Sequence, residues 1–181
     1  MLKSSGFGIA LFINIIIIAL WHFLSYLFSA HLPGKYLHDD RPPFRIKDFE
    51  NRGDFYVENF SADKWYRSLP GHPLRSEVSA AELRKKNLAQ LRAVLISTCR
   101  IELWSILNCL YFICSWSLNA AYLAFILSAI VIISNFPYII CARYSRCLIL
   151  NEIVNKRKEL AEKAKTADND TGFMNLYFNL N

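Results

Sequence analysis

The chain has 181 residues, 54% hydrophobic and 20% charged, with a formal net charge of +6; this length suits one domain or one small membrane bundle. Its five cysteines (Cys99, Cys109, Cys114, Cys141, Cys147) avoid the long polar stretch and form no CxxC or Cys/His spacing, which excludes a secreted disulfide framework and a zinc site as organising features. No GxSxG elbow, HxxxxD acyltransferase motif, P-loop or dinucleotide fingerprint occurs, so the soluble enzyme classes carrying those signatures find no support.

Apolar and charged residues are segregated, the first concentrating in 7–28 and 101–140, the second in 33–92 and after Cys141. That separation marks a polytopic membrane protein. The first segment, FGIALFINIIIIALWHFLSYLF, is 22 residues from Phe7 to Phe28. It can cross ~30 Å of hydrocarbon at ~1.5 Å per residue. Its apolar run is too long for a signal-peptide core and no small-residue cleavage site is clear before His31, so the segment reads as a retained helix.

The loop that follows opens with the turn-rich LPGKYLHDDRPPF. The stretch DFENRGDFYVENFSADKWYRSLPG then interleaves Phe49, Phe55, Tyr56, Phe60, Trp65 and Tyr66 with charges. It suits short amphipathic helices lying aromatic side down in the interface, with a small soluble core as the competing arrangement. Ser79 and Glu82 read as a capping box, starting a helix that can run into the second crossing.

The second apolar region, Ile101 to Ile140, is long enough to cross twice, with Ser115-Trp116-Ser117-Leu118-Asn119 as its turn. The expectation is an all-α, three-helix membrane protein. It divides into an N-terminal transmembrane helix (1–30), a cytoplasmic interfacial loop (31–93), a transmembrane hairpin (94–115 and 119–141, within 94–141), and a cytoplasmic amphipathic helix with a flexible tail (142–181). The basic clusters RKK (84–86), RYSR (143–146) and NKRK (155–158) suit anionic lipid headgroups better than nucleic acid. The positive-inside rule then predicts an N-terminus outside the cell membrane, with loop and tail inside.

Arg100 and Glu102 are two residues apart, so they do not face each other on one helix and each needs its own partner. Counting out from a turn centred at Ser117, Glu102 and Asn135 fall roughly 22 and 27 Å along their helices. Both therefore lie near the cytoplasmic end of the hairpin. A polar cluster of Arg100, Glu102, Asn135, Arg143, Tyr144 and Arg146 is expected there, with Pro137 free to break or kink the third helix. Arg143 and Arg146 share a face, a pair suited to a phosphate or carboxylate. A carboxylate at membrane depth is costly unless paired, which singles out Glu102. The histidines His22, His31, His38 and His72 lie in no motif.

Three stretches carry a family resemblance over roughly 33–148. FENRGDFYVENFSADKWYRSLPG is similar to F-E-x-x-G-x-F-Y followed by a tryptophan and L-P, matching Phe49, Glu50, Gly53, Phe55, Tyr56, Trp65, Leu69 and Pro70. STCRIEL is similar to E-T-x-R-A-E, through Thr98, Arg100 and Glu102. NFPYIICARYSR is similar to N-x-P-x-I-I-x-Q-R-Y-N-R, through Asn135, Pro137, Ile139, Ile140, Arg143, Tyr144 and Arg146. The chain thus resembles the glycosyl-4,4'-diaponeurosporenoate acyltransferases, the CrtO-type membrane enzymes of staphyloxanthin-like carotenoid synthesis. It departs from them where a His-Trp pair usually follows R-A-E: Ser105 and Ile106 stand there. Ser97, Ala142 and Ser145 replace an acid, a Gln and an Asn.

The resemblance implies transfer of a fatty acyl group from a thioester co-substrate to a hydroxyl of a lipid-soluble glycoside, with no metal or other cofactor. Glu102 is expected as base, or as the group orienting His31. Arg100, Arg143 and Arg146 are expected on donor phosphates or the oxyanion, and Asn135, Tyr144 and Trp65 on substrate. The expected partners are membrane lipids, the acyl donor and a lipophilic acceptor. The alternative, drawn from the departures, is a non-catalytic relative serving as a membrane subunit, with the aromatic tail GFMNLYFNLN as its protein-docking segment.

Overall fold

A computed structural model describes residues 6–69 and 79–178, with backbone alone at 51, 52, 66–68, 80 and 166–178. Helix α1 is Phe7–His31. Two 3-10 turns, Gly34–Tyr36 and Asp48–Gly53, lead to α2 (Asp54–Phe60), α3 (Ala62–Ser68) and α4 (Ala80–Lys85). Helices α5 (Leu88–Cys109), α6 (Tyr111–Leu118) and α7 (Ala121–Phe178) complete the chain, with no strand among the described residues. Three stretches are long and apolar enough to cross a membrane: Phe7–His31, Leu88–Leu118 and Ala121–Lys165. The protein is an all-α membrane protein.

The second crossing is made of two helices. At Leu110 the backbone stays right-handed and the amide reaches both Ile106 (3.2 Å) and Leu107 (3.1 Å), so α6 continues α5 with a local break. The reversal to α7 falls at Asn119–Ala120. Asn119 and Asn14 pair through Nδ2 and Oδ1 in both directions (2.7 and 2.9 Å), and the Tyr111 hydroxyl donates to Asn14 Oδ1 at 2.9 Å. Amides at this depth would be costly without partners, because lipid offers none. Here they fasten the start of α1 to the hairpin turn. Further along, Trp21 Nε1 donates to the Leu107 carbonyl at 2.9 Å.

Lipid tails are as apolar as leucine, so helix pairing in the bilayer depends on close packing and polar contacts rather than on water exclusion. The α5–α7 seam fits that rule, with Thr98, Cys99, Ser105, Cys141, Ala142 and Ser145 almost wholly buried along it. Toward the start of α5 and further along α7, larger residues take over: Leu83, Leu91, Leu95, Ile149 and Ile153 form a close-packed apolar cluster.

Several expected elements are displaced. Only half of the Ser79 cap forms: Ser79 Oγ accepts from the Glu82 amide (3.2 Å) while the Glu82 carboxylate pairs with Lys85. Helix α4 ends at Lys85, and α5 starts afresh from a reciprocal Asn87–Gln90 capping box. Helix α7 runs without interruption through Pro137 and on to Phe178. The residues expected as a separate amphipathic helix, and those of the expected tail as far as Phe178, continue α7 instead. Once a helix is under way each residue adds one hydrogen bond without a new nucleus, and the weak formers after Lys165 do not end it. Residues 48–68 pack in part against α7 and leave several large side chains exposed. Tyr56 and Ala62 pack on Ile140 and Cys147 of α7, whereas Phe49, Val57 and Trp65 remain exposed.

Candidate functional site

Glu102 is 2% exposed and sits between two arginines one turn apart on α7. Arg143 Nη1 donates to its Oε1 at 2.7 Å, and Arg146 Nη2 lies 2.6 Å from its Oε2. Arg146 is fully buried. Its Nε donates to Thr98 Oγ1 (3.2 Å) and its Nη1 to the Phe44 carbonyl (2.7 Å), with the guanidinium 5.6 Å from the Phe44 ring centre. The arginine pair does hold a carboxylate, and that carboxylate belongs to the chain itself.

The loop supplies the second acid. Glu50 is fully buried and ion-paired to Arg143 Nη2. Its Oε1 also accepts from the Lys47 amide (3.1 Å) and its Oε2 from the Tyr56 hydroxyl (2.8 Å). Arg143 Nε donates to Tyr56 Oη at 2.9 Å, while its Nη groups also donate to the carbonyls of Pro43 and Arg45 (both 3.0 Å). Burial, reinforced by the Glu50 carboxylate, pushes the Tyr56 phenol well above its ordinary range, so it stays a proton donor. Two guanidiniums and two carboxylates thus alternate from loop to α7 to α5, formally neutral. A buried charge is tolerable only when paired and hydrogen-bonded in this way.

Gly53 makes the approach of the loop possible. Its φ of +107° is open to glycine, and a Cβ there would stand 3.3 Å from both Cys147 Cβ and the Tyr144 ring. Tyr144 accordingly faces the loop cluster with Tyr56, Ala62 and Ile140.

Beside this network lies a cavity of about 540 Å³, mainly apolar, with Phe49, Phe55, Phe60 and Phe136 around it and Glu50, Tyr56 and Arg143 in its wall. The rings meet edge to face, Phe55 with Phe49 (5.2 Å) and Phe60 with Phe136 (5.8 Å). Phe136 belongs to the stretch of α7 that is long and apolar enough to cross a membrane, and it remains 46% exposed. Arg45 and Lys47 also line it. An apolar groove bordered by cationic side chains can hold a lipid tail and stabilise negative charge developing on a carbonyl oxygen.

The remaining expected residues go elsewhere. Asn135 is buried but bonds Asn108 (3.2 Å) and the Val131 carbonyl (2.8 Å). The pairs 108/135 and 102/143 place the hairpin axis near residue 122, their common midpoint, rather than at Ser117. Arg143, not Asn135, is therefore level with Glu102, and Asn135 lies ~12 Å deeper. Arg100 turns to the α1 side, beside a 390 Å³ crevice formed with Tyr26, Ser29, Ser97, Ile101 and Trp104. Its buried Nε has no hydrogen-bond partner among the described residues. His31 is exposed at the end of α1 with Nδ1 on the Leu27 carbonyl (2.8 Å), and no hydrogen bond joins it to Glu102. Trp65 is 37% exposed beside Phe60 and outside the groove wall. His72 lies outside the described residues. Glu50 and Tyr56, the residues missing from the expected cluster, were visible as members of the FENRGDFY stretch.

No curated protein and no solved structure matches the chain. A family described as glycosyl-4,4'-diaponeurosporenoate acyltransferase (CrtO) matches residues 40–153. Those residues contain all four charges of the network, the groove and the α5–α7 seam. The match covers more than half of the chain, which therefore belongs to the glycosyl-4,4'-diaponeurosporenoate acyltransferase family.

Proposed function

We propose that the protein moves a fatty acyl group from a thioester donor to a hydroxyl of a lipid-soluble, carotenoid-glycoside-like acceptor, at the cytoplasmic face of the cell membrane. The observation that supports this most is the aromatic groove, which has the exposed Phe136 and the guanidinium of Arg143 together in its wall. The acceptor oxygen attacks the acyl carbon, a C–O bond forms, the C–S bond breaks, and the hydroxyl proton ends on the departing thiol. Arg143, whose five N–H groups are held by Tyr56, Pro43, Glu102, Arg45 and Glu50, acts on the intermediate oxyanion through its positive charge rather than through a free donor. Glu50, the carboxylate in the groove wall, takes the proton in transit. Glu102 and Arg146 are positioning residues that hold Arg143 in place, and Arg100 anchors a lipid phosphate from the α1 side. The positive-inside pattern supports an orientation with the N-terminus outside.

The test is lipid extraction and mass spectrometry of cells supplied with a glycosylated acceptor, with and without the chain. An acylated glycoside is expected only with the wild-type chain. Phe49→Ala, which shortens an exposed ring of the groove, is expected to raise the acceptor KM several-fold at unchanged kcat. Absence of the product with wild-type protein, donor and acceptor all present sinks the reading. A second reading, a non-catalytic membrane subunit, draws on the full engagement of Glu102 by two arginines and on Ser105 and Ile106 at the resembling family's His-Trp places. It requires a stoichiometric partner that is lost when the C-terminal tail is removed.

A further inference from the structure

A second cavity, about 360 Å³, lies between the start of the loop, the N-terminal part of α5 and α7 near Leu150–Arg157. Its floor is apolar, from Leu95, Leu150 and Ile153. Arg92 on α5 and Arg157 on α7 both line it, and the loop contributes His38 and Asp39. Neither arginine makes an ion pair or hydrogen bond among the described residues, although Asp39 lines the same cavity. Two unpaired guanidiniums from facing helices over an apolar floor are complementary to a phosphate carried on a partly apolar chain.

The position of the cavity sharpens this. Phe136, Ile140, Arg143, Leu150, Val154 and Arg157 are spaced by four, three, seven, four and three residues, so they form one stripe along α7. Phe136, Ile140 and Arg143 border the aromatic groove; Leu150, Val154 and Arg157 border the second cavity. Arg143 and Arg157 are 14 positions apart in the sequence, or ~21 Å along the helix. A flexible arm with a phosphate at one end and a reacting thioester at the other would follow that stripe.

We propose that this cavity binds the phosphate-bearing end of a pantetheine-type thioester carrier, with Arg92 and Arg157 on the phosphate and Asp39 accepting from a hydroxyl or amide of the arm. The inference rests on the acyl-transfer reading and names the carrier class. Both arginines are exposed, so replacing them leaves the fold intact.

The experiment titrates coenzyme A into the full chain reconstituted in zwitterionic phosphatidylcholine nanodiscs. Binding is expected in the wild type, tenfold or more weaker in Arg92→Gln and in Arg157→Gln, unchanged in the control Arg84→Gln, and partly restored in Arg92→Lys. Dephospho-coenzyme A is expected to bind more weakly than coenzyme A. Absence of coenzyme A binding in the wild type overturns the proposal, as does equal binding in the arginine variants. Arginine-dependent association seen only with phosphatidylglycerol nanodiscs, and not displaced by coenzyme A, also overturns it and assigns the cavity to a lipid headgroup. Arginine-dependent binding of coenzyme A without any acyl transfer would leave this site standing while the proposed reaction fell.

Discussion

Replacing Glu102 by Gln preserves shape and removes one charge from the centre of the network. Arg143 keeps Glu50, but Arg146 loses its one carboxylate and retains only the neutral oxygens of Thr98 and Phe44. Arg146 is fully buried, so its charge has no access to water. Breaking a buried pair from one side costs about 3–5 kcal/mol. That corresponds to roughly two to three and a half decades in the folded-to-unfolded ratio, at about 1.4 kcal/mol per decade. The four tryptophans allow unfolding to be followed by fluorescence during SDS titration in mixed micelles. Removing the stranded cation as well, in Glu102→Gln with Arg146→Gln, should recover about 1–3 kcal/mol of that loss as a coupling energy. A single variant within about 1 kcal/mol of wild type, or strictly additive losses, would show that Arg146 is not held by Glu102 and refute the network as drawn.

Gly53→Ala should cost about 1–3 kcal/mol, since a non-glycine residue is strained at this φ and the methyl meets α7; limited proteolysis of the loop reads the loss, and an unchanged cleavage rate contradicts it. Asn14→Ala strands Tyr111 and Asn119 in an apolar layer, so a melt in detergent should show a loss of about 1–3 kcal/mol. Tyr56 is a group with a raised folded pKa. Its contribution to stability is complete below the ordinary phenol pKa of about 10 and declines as pH rises beyond it. Alkaline unfolding should therefore come at lower pH in wild type than in Tyr56→Phe, and coincident transitions would remove Tyr56 from the network.

Long-range polarity was the most legible part of the fold. Segregated apolar runs dictate three crossings because only a helix satisfies its own backbone in lipid, and the opposed directions of Arg100 and Glu102 follow from helix periodicity alone. Depth was less legible, because it depends on where the hairpin turns. Ser117 is polar enough to seem the centre, yet its hydroxyl is satisfied by the Ile113 carbonyl within α6, and the reversal comes at Asn119, whose amide clasps Asn14. Centring the turn at Ser117 puts Asn135 level with Glu102, where the hairpin brings Arg143 instead. Glu50 stands in the FENRGDFY stretch but outside the expected charge cluster, for another reason. In the sequence it is one acid among several in a polar loop, and only packing on α7 removes it from water. The Asn87–Gln90 cap was available in the sequence as Asn-x-x-Gln and escaped because Ser79 offered an earlier start.

The unbroken course of α7 from the bilayer into the polar region ties two distant surfaces to a single angular phase. Each residue turns the axis by about 100°, so one deletion between Arg143 and Arg157 would swing Arg157 away from Arg92 by more than a quarter of a revolution while leaving every side chain of the inner groove untouched. Substitutions along this rod can be absorbed locally. Changes in its length cannot, and the spacing of the helix, rather than the identity of most of its residues, sets how its two ends work together.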